Sequence, residues 1–301
     1  MKLHRIRSPL APLNKGGKQK TSIKVPLFKG DLGGSKYVQI YMKLVLMSCS
    51  NIGTTNYKLR IITSVFNKLV DTIIEGAIRA IELLTRGDRD VLQVMMMTLL
   101  VSGTATAISV VLGVPLGLWL ALTEFFGKQV LNSLVNFGMG LPPVVVGLVV
   151  SLFLWRSGPL GDLELMYTPT AMIVAQALIA FPIVAGFSFA AILSINPKLR
   201  WQLLSMGATP WQANLLLIKE AKLGLIAAII AGFGRVISEV GASMMVGGNI
   251  KGQTRVLTTA IVTEVEKGNF DVAMAIAYIL LIVTYSIVVL LTILQHEKKV
   301  L

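Results

Sequence analysis

The sequence predicts an all-α, polytopic membrane protein, and three observations carry that reading. Four runs without a charged side chain, 91–123, 129–155, 165–197 and 272–296, each exceed the ~20 residues that a helix needs to cross a bilayer. A fifth run, 223–248, is as apolar except for Arg235 and Glu239. Apolar residues make up 54% of the 301-residue chain and charged residues only 14%, against about 25% charged in a typical globular domain. Five spans follow.

Ahead of the spans the charge is uneven. Residues 1–60 hold twelve Lys and Arg against one acid, Asp31, while the other 241 residues hold sixteen against fourteen. The net charge of +13 and the pI of 9.9 therefore describe a tail and not a nucleic-acid-binding body. The tail is rich in Gly, Pro, Ser and Lys and has no hydrophobic period, so 1–60 is expected to be a disordered basic extension. It reads as a tail touching anionic lipid or as an upstream addition ahead of a start at Met42 or Met47. Residues 61–301 are the membrane domain. Its first element is 64–86, where Lys68, Asp71, Glu75, Arg79, Glu82 and Arg86 recur opposite Val65, Leu69, Ile73, Ile74, Ala77, Ile81 and Leu84. That spacing predicts an amphipathic helix, too charged to cross, lying along the interface.

Each span then carries its own feature. The first has Ser102, Thr106, Ser109, Gly113 and Gly117 along one face, a stripe suited to close packing or to a polar lining. In the second, Pro142 and Pro143 interrupt backbone hydrogen bonding, which a bilayer tolerates only where protein or water satisfies the freed carbonyls. Between the third and fourth spans, in the loop 196–222, the apolar stripe of Leu199, Leu203 and Leu204 stops at Gly207, suited to a left-handed helix end. Thr209 can cap a second helix with Pro210 at its first position. Two short helices with a tight elbow result. An ordinary connector fits the spacing equally, and the flanking spans and few basic residues argue against a DNA-reading helix–turn–helix. After the fourth span, 252–271 reads as a short amphipathic helix outside the bilayer, a landing surface or a solvated loop. Loop charge leaves the orientation open: with 196–222 inside, seven basic residues fall on inner loops and six on outer ones.

Catalysis and metal chemistry find no support. The one cysteine, Cys49, lies in the tail, His4 and His296 sit near opposite ends, and no nucleophile–base constellation is visible. No cofactor is expected. A Gly-x-x-x-x-Gly-Lys-Ser/Thr phosphate loop is also lacking, so any ATP-driven activity needs a separate motor subunit.

The elbow "LLSMGATPWQANLLLI" resembles the cytoplasmic coupling loop of ATP-binding-cassette importer permeases, with Gly207 on the family glycine and Ala208, Thr209, Trp211, Gln212 and Ala213 on its usual sequel. Trp201, Gln202 and Leu203 replace the family's Glu-Ala-Ala, and Lys219–Glu220 its later Leu-Pro, which removes one polar contact to the ATPase. The segments "TLLVSGTATAISVVLGVPLG", "GMGLPPVVVGLVV", "RSGPLG", "YTPTAMIVAQ" and "GRVISEVGASMMVGGNIKGQTRVLTTAI" are similar to the oxyanion branch, most closely to tungstate-type permeases. The resemblance implies a type I importer permease fold in the plasma (inner) membrane and a homodimeric channel pair. It also implies a separate ATPase docked through Leu203, Leu204, Gly207, Ala208, Thr209 and Pro210, and an external binding protein that delivers tungstate or molybdate. An ion-coupled carrier or a non-transporting assembly factor are the alternatives. Neither is favoured, because Glu239 is the lone intramembrane acid and no internal repeat of spans is evident.

Arg235 and Glu239 pose the remaining question, since each charge costs about 2.5–3.5 kcal/mol at mid-membrane. On one helix they would stand at i, i+4 and offset each other, with the small residues Gly234, Ser238, Gly241 and Ala242 letting a neighbour approach. Two readings stay open. The pair is a packing staple, or Arg235 lends positive potential to a dianion's path while Glu239 holds it in place. Arg235, Glu239, Ser238, Pro142 and Pro143 are the pathway candidates.

Overall fold

The computed structural model describes residues 55–296. The expected disordered extension lies outside the described residues, apart from Thr55–Arg60, which already belong to the first helix. The described chain is eleven α-helices and one 3₁₀ turn, Gly161–Leu163, with no strand among the described residues.

Helix α1 (Thr55–Arg86) carries the predicted charged arc. It lies on the last helix, α11 (Phe270–His296). Gly76 allows the approach, since a Cβ there would stand 2.5 Å from that of Met274, Ala80 is buried beside Ala275 and Ile276, and Arg79 pairs with Asp271. Phe66, Ile74, Ile78 and Ile81 remain exposed on a third face, unclaimed by protein and suited to lipid.

The long helix α2 (Arg89–Leu122) begins at Asp88, whose carboxylate accepts from the N–H groups of Asp90 at 2.9 Å and Val91 at 3.1 Å. Its small-residue stripe packs against α5 (Pro169–Leu193), the most extensive helix contact in the fold. Ser109 donates to the carbonyls of Ala105, 2.8 Å, and Ala177, 3.0 Å. A Cβ on Gly117 would come within 2.4 Å of the Ala185 carbonyl oxygen. From Ser109 to Gly117, then, the stripe is a seat for α5. Helix α5 is the centre of the bundle: 56% of its spanning window is buried, against 33% for α2 and 11% for α11.

The second apolar run is two helices, α3 (Lys128–Gly140) and α4 (Pro143–Leu154), bent by 100°. The prolines cause it. Pro143 starts α4, where its missing N–H leaves nothing unsatisfied, and the Pro142 carbonyl accepts from Val145 at 3.0 Å. The fourth run is also two helices, α8 (Lys222–Ile237) and α9 (Gly241–Gly247), bent by 59°. Three helices cross without interruption, and counting each bent pair as one span makes five, the expected number.

The elbow forms as its residues dictate. Helix α6 (Pro197–Ser205) ends in a Schellman turn: the Ala208 N–H donates to the Leu203 carbonyl and the Gly207 N–H to that of Leu204, both 3.1 Å. Gly207 sits at φ 90°, the left-handed region that glycine enters without strain. Thr209 and Gln212 cap α7 (Pro210–Glu220) reciprocally, at 3.3 and 2.9 Å. The short helix α10 (Leu257–Lys267) completes the fold on the opposite face.

Gly117→Val is expected to unseat α2 from α5 and to cost about 1–3 kcal/mol, read as a lower midpoint of thermal unfolding in detergent. Gly103→Val is the control, on the same helix with nothing within 4 Å of its Cβ. Equal midpoints for the two variants would show that α2 is not seated through Gly117.

Candidate site at the two helix breaks

The apolar helix α8 stops at Ser238, whose hydroxyl donates to the carbonyls of Gly234 at 2.9 Å and Arg235 at 3.1 Å. Such back-bonding competes with helix continuation. Glu239 then belongs to the next segment. Its Oε1 accepts from the Ala242 N–H at 3.0 Å, capping α9, and its carbonyl accepts from the Thr258 hydroxyl at 3.1 Å, which ties the first turn of α10 to the break.

The expected Arg235–Glu239 pair is therefore not formed. The i, i+4 geometry needs one continuous helix, and this one ends between the two residues. Glu239 is buried, 7% exposed, and is spent on the backbone. Arg235 is half-buried, and its guanidinium has no hydrogen bond or ion pair among the described residues. Ser238, between them, is exposed.

The two breaks meet. Val144, in the first turn of α4 after Pro142 and Pro143, abuts Gly241, where a Cβ would stand 2.8 Å from Val144 Cγ2. One turn on, a Cβ at Gly147 would stand 2.6 Å from Ala242 Cα. Of the small residues beside Arg235, Gly241 and Ala242 thus receive α4, whereas Gly234 has open space around it. On its other side α9 rests against α5, with Met172 beneath Gly247 and the Gln176 Nε2 donating to Ser243 Oγ at 2.8 Å. Ser243 and Thr258 carry no signal of these contacts in their spacing along the chain. Gln176 leaves a signal, as an amide inside an otherwise apolar spanning run.

Beyond α9 the chain is fastened to the face opposite the elbow. Asn249 donates to Thr263 at 2.7 Å and accepts from Arg255 at 3.2 Å. Thr254 receives the Ile250 N–H at 3.0 Å and donates to the Gly247 carbonyl, and Lys251 pairs with Asp90. Thr98 on α2 accepts from the Leu257 N–H at 2.9 Å, so the helix expected outside the bilayer has its first turn buried. At its far end the Lys267 ammonium, 2.6 Å from Glu264 Oε1, is the main reason that the Glu264 carboxyl titrates below its ordinary range. Asn269 and the charges of Lys267 and Arg255 act in the same direction, against burial.

The elbow lies apart from the breaks and is joined to them by α8, whose sixteen residues span roughly 24 Å at 1.5 Å each. Ala213 and Leu217 anchor α7. Leu203, Leu204 and Ala208 are half-buried, while Gly207, Thr209 and Pro210 form the exposed tip. Trp201, Met206 and Trp211 are exposed at 69%, 84% and 72%, three large apolar side chains around one turn. A cleft of about 540 Å³ opens between the end of α5, α6 and the start of α8, lined by Asn196, Lys198, Gln202 and Glu220 among others.

Residues 113–297 match the family described as "Binding-protein-dependent transport system inner membrane component". A "Probable anion ABC transporter permease protein" of Haloferax volcanii is 45% identical over 189 residues, 61% of this chain and 82% of that protein. A "Tungstate uptake system permease protein TupB" of Peptoclostridium acidaminophilum is 39% identical over 228 residues, 76% of this chain and 100% of that protein. Among solved structures, a bacterial ABC transporter involved in the import of the acidic polysaccharide alginate superimposes with a TM-score of 0.59 at 18% identity, over 88% of this chain and 99% of that one. The MetNI methionine ABC transporter, in an inward-facing conformation, gives 0.58 at 22%, over 69% and 95%. The matched family, the anion and tungstate permeases among the relatives and the shared helical fold agree: the chain belongs to the inner-membrane permease components of binding-protein-dependent ABC importers.

Proposed function

We propose that the chain is the translocation subunit of an ATP-driven importer for a tetrahedral oxyanion, tungstate or molybdate, working as a pair of copies with a separate ATPase and an external binding protein. The observation that carries this reading is Arg235. An unpaired cation within a spanning run is costly, and intramembrane charges of this kind mark ion and substrate paths. Here it stands at a break in its span, next to the exposed Ser238 hydroxyl, and the break itself abuts the proline break of a second span. A dianion passing there meets one positive charge with no closed cage, which favours entry without trapping. Names of relatives supply the anion: the Peptoclostridium protein and one from Campylobacter jejuni, 34% identical over 80% of this chain, are tungstate permeases, and more distant ones are molybdenum permeases.

The drive enters through the elbow. Three exposed apolar side chains, Trp201, Met206 and Trp211, offer anchors of the kind that dominate protein interfaces, and they suit the ATPase. From there α7 leads through Ala221 directly into α8, so a displaced elbow moves the helix that carries Arg235 in its last turn.

In vesicles carrying the chain with its ATPase and binding protein, ATP-dependent uptake of radiolabelled tungstate is the direct test. Arg235→Gln is expected to lower uptake at least tenfold with the complex still co-purifying, and Arg235→Lys to keep most of it. Normal uptake by Arg235→Gln would remove Arg235 from the path, and uptake without nucleotide would refute the ATP-driven reading. Gly207→Val, forced to φ 90° at about 1–2 kcal/mol, is expected to cut uptake per ATP hydrolysed several-fold, with Gly207→Asn milder. Nothing lies within 4 Å of a Cβ there, so the effect would come from the backbone.

A further inference from the structure

The Gln176–Ser243 pair is buried and under-satisfied by the protein around it. Gln176 is 2% exposed and Ser243 1%. An amide offers two donors and an acceptor oxygen with two lone pairs, yet Gln176 makes one recorded bond, Nε2 to Ser243 Oγ at 2.8 Å, and its Oε1 is buried with no partner. Turning the amide over only exchanges the orphan: the Ser243 hydroxyl would then donate to the oxygen and the NH₂ would be stranded. In the present arrangement Ser243 accepts, and its own proton has no recorded acceptor. The carbonyl one turn back, that of Glu239, is taken by Thr258. One lone-pair group and one hydroxyl proton thus lie unspent on the two sides of a single contact.

That contact joins the most buried span to the half-helix that follows Glu239. Much of the α9 surface that meets its neighbours is small, with Gly241 against Val144, Ala242 against Gly147 and Gly247 against the flexible thioether of Met172, and Val246 is the one large side chain it buries fully. Glycine and alanine contacts of this type hold helices close without a bulky side chain to fix their register. The other ties on α9, from Glu239, Tyr167 and Thr254, grip its two ends. Among the described residues, Gln176 with Ser243 is the one side-chain-to-side-chain hydrogen bond across its body.

We infer that Gln176 is a positioning residue, a half-engaged latch that holds α9 against α5 in this conformation and exchanges its bond when the Arg235–Glu239 break moves. A fully satisfied pair would lock one arrangement. An apolar pair would hold none. A pair with an unspent acceptor and an unspent proton can re-form in a displaced register with no net loss of bonds, so it steadies α9 in discrete positions while leaving it free to change between them. The inference rests on the transport reading for its purpose and on the α5–α9 contact for its substance.

The test uses the assembled transporter in vesicles, with Cys49→Ser and a reporter thiol at Met245→Cys on the exposed side of α9. Gln176→Met keeps the volume and removes the bond and the orphaned Oε1, leaving the Ser243 hydroxyl to bond back to its own helix. It is expected to leave the thermal midpoint of the complex unchanged, to alter maleimide labelling at position 245 about three- to tenfold, the worth of one neutral hydrogen bond, and to raise nucleotide hydrolysis per anion transported. Ser243→Ala should shift labelling and coupling in the same direction, with a lower midpoint because it strands the buried amide, and the double variant should shift labelling no further than Gln176→Met alone. Unchanged labelling and coupling in a stable Gln176→Met complex would overturn the latch. So would additive effects of the two changes, or loss of assembly in both variants, which would assign the pair to folding. If the unmodified complex takes up no oxyanion, the transport reading fails, while the labelling comparison still decides the latch.

Discussion

Inside hydrocarbon, every backbone N–H and C=O must find its partner within the protein, and the arrangement around α9 follows from that constraint. Two spans are broken there, and each break is closed chemically. At 141–143 the prolines remove the donors that a new helix would leave bare, and the Pro142 carbonyl serves as the first acceptor of α4. At 238–240 the Ser238 hydroxyl bonds the Gly234 and Arg235 carbonyls in the last turn of α8, the Glu239 carboxylate takes the Ala242 N–H in the first turn of α9, and Thr258 covers the Glu239 carbonyl. Glu239 is thus a backbone cap in a place where water cannot act as one.

This use of Glu239 decides the fate of Arg235. A carboxylate committed to an N–H through one oxygen, on a segment turned by 59° from the preceding helix, does not face a guanidinium on that helix. Among the described residues the cation is left without a partner, beside an exposed hydroxyl. A charge that a continuous helix would have neutralised becomes available because the helix ends. Packing then brings the second break alongside, since Gly241 and Gly147 have no side chains to hold α4 and α9 apart.

The bundle is organised by how tightly its members are held. Helix α5 is clasped by α2 through Ser109, Gly113 and Gly117, closely enough at Gly117 that no Cβ would fit, and serves as the fixed reference. Helices α1 and α11 lie at the periphery and leave apolar faces for lipid. The two half-helices α4 and α9 meet each other through Gly241, Ala242 and Gly147 and bury Val150, Leu154 and Val246 in the core, with a single under-bonded amide across the α5–α9 seam. A rigid centre with a sparsely bonded neighbour is the arrangement in which displacement at the elbow end of α8 can reach its other end.

Local chemistry made much of this legible in the residues. The spans show as uncharged runs because charge is costly in lipid, the charged arc of α1 by its three- and four-residue spacing, and the elbow by Gly207, Thr209 and Pro210, whose roles as helix end, cap and first residue depend only on neighbours within a few positions. Periodicity alone put Arg235 and Glu239 on one face, because a helical spacing presumes a helix, and whether the helix continues past Ser238 depends on Thr258, Val144 and Gln176, which are distant in the chain. Sequence by itself determined which segments cross the membrane and the turns written in local residues, at Pro142–Pro143 and at Gly207. Tertiary structure alone decided which turns meet and which charge is left unpaired, because partners for a broken backbone in hydrocarbon come from whichever helices pack against the break.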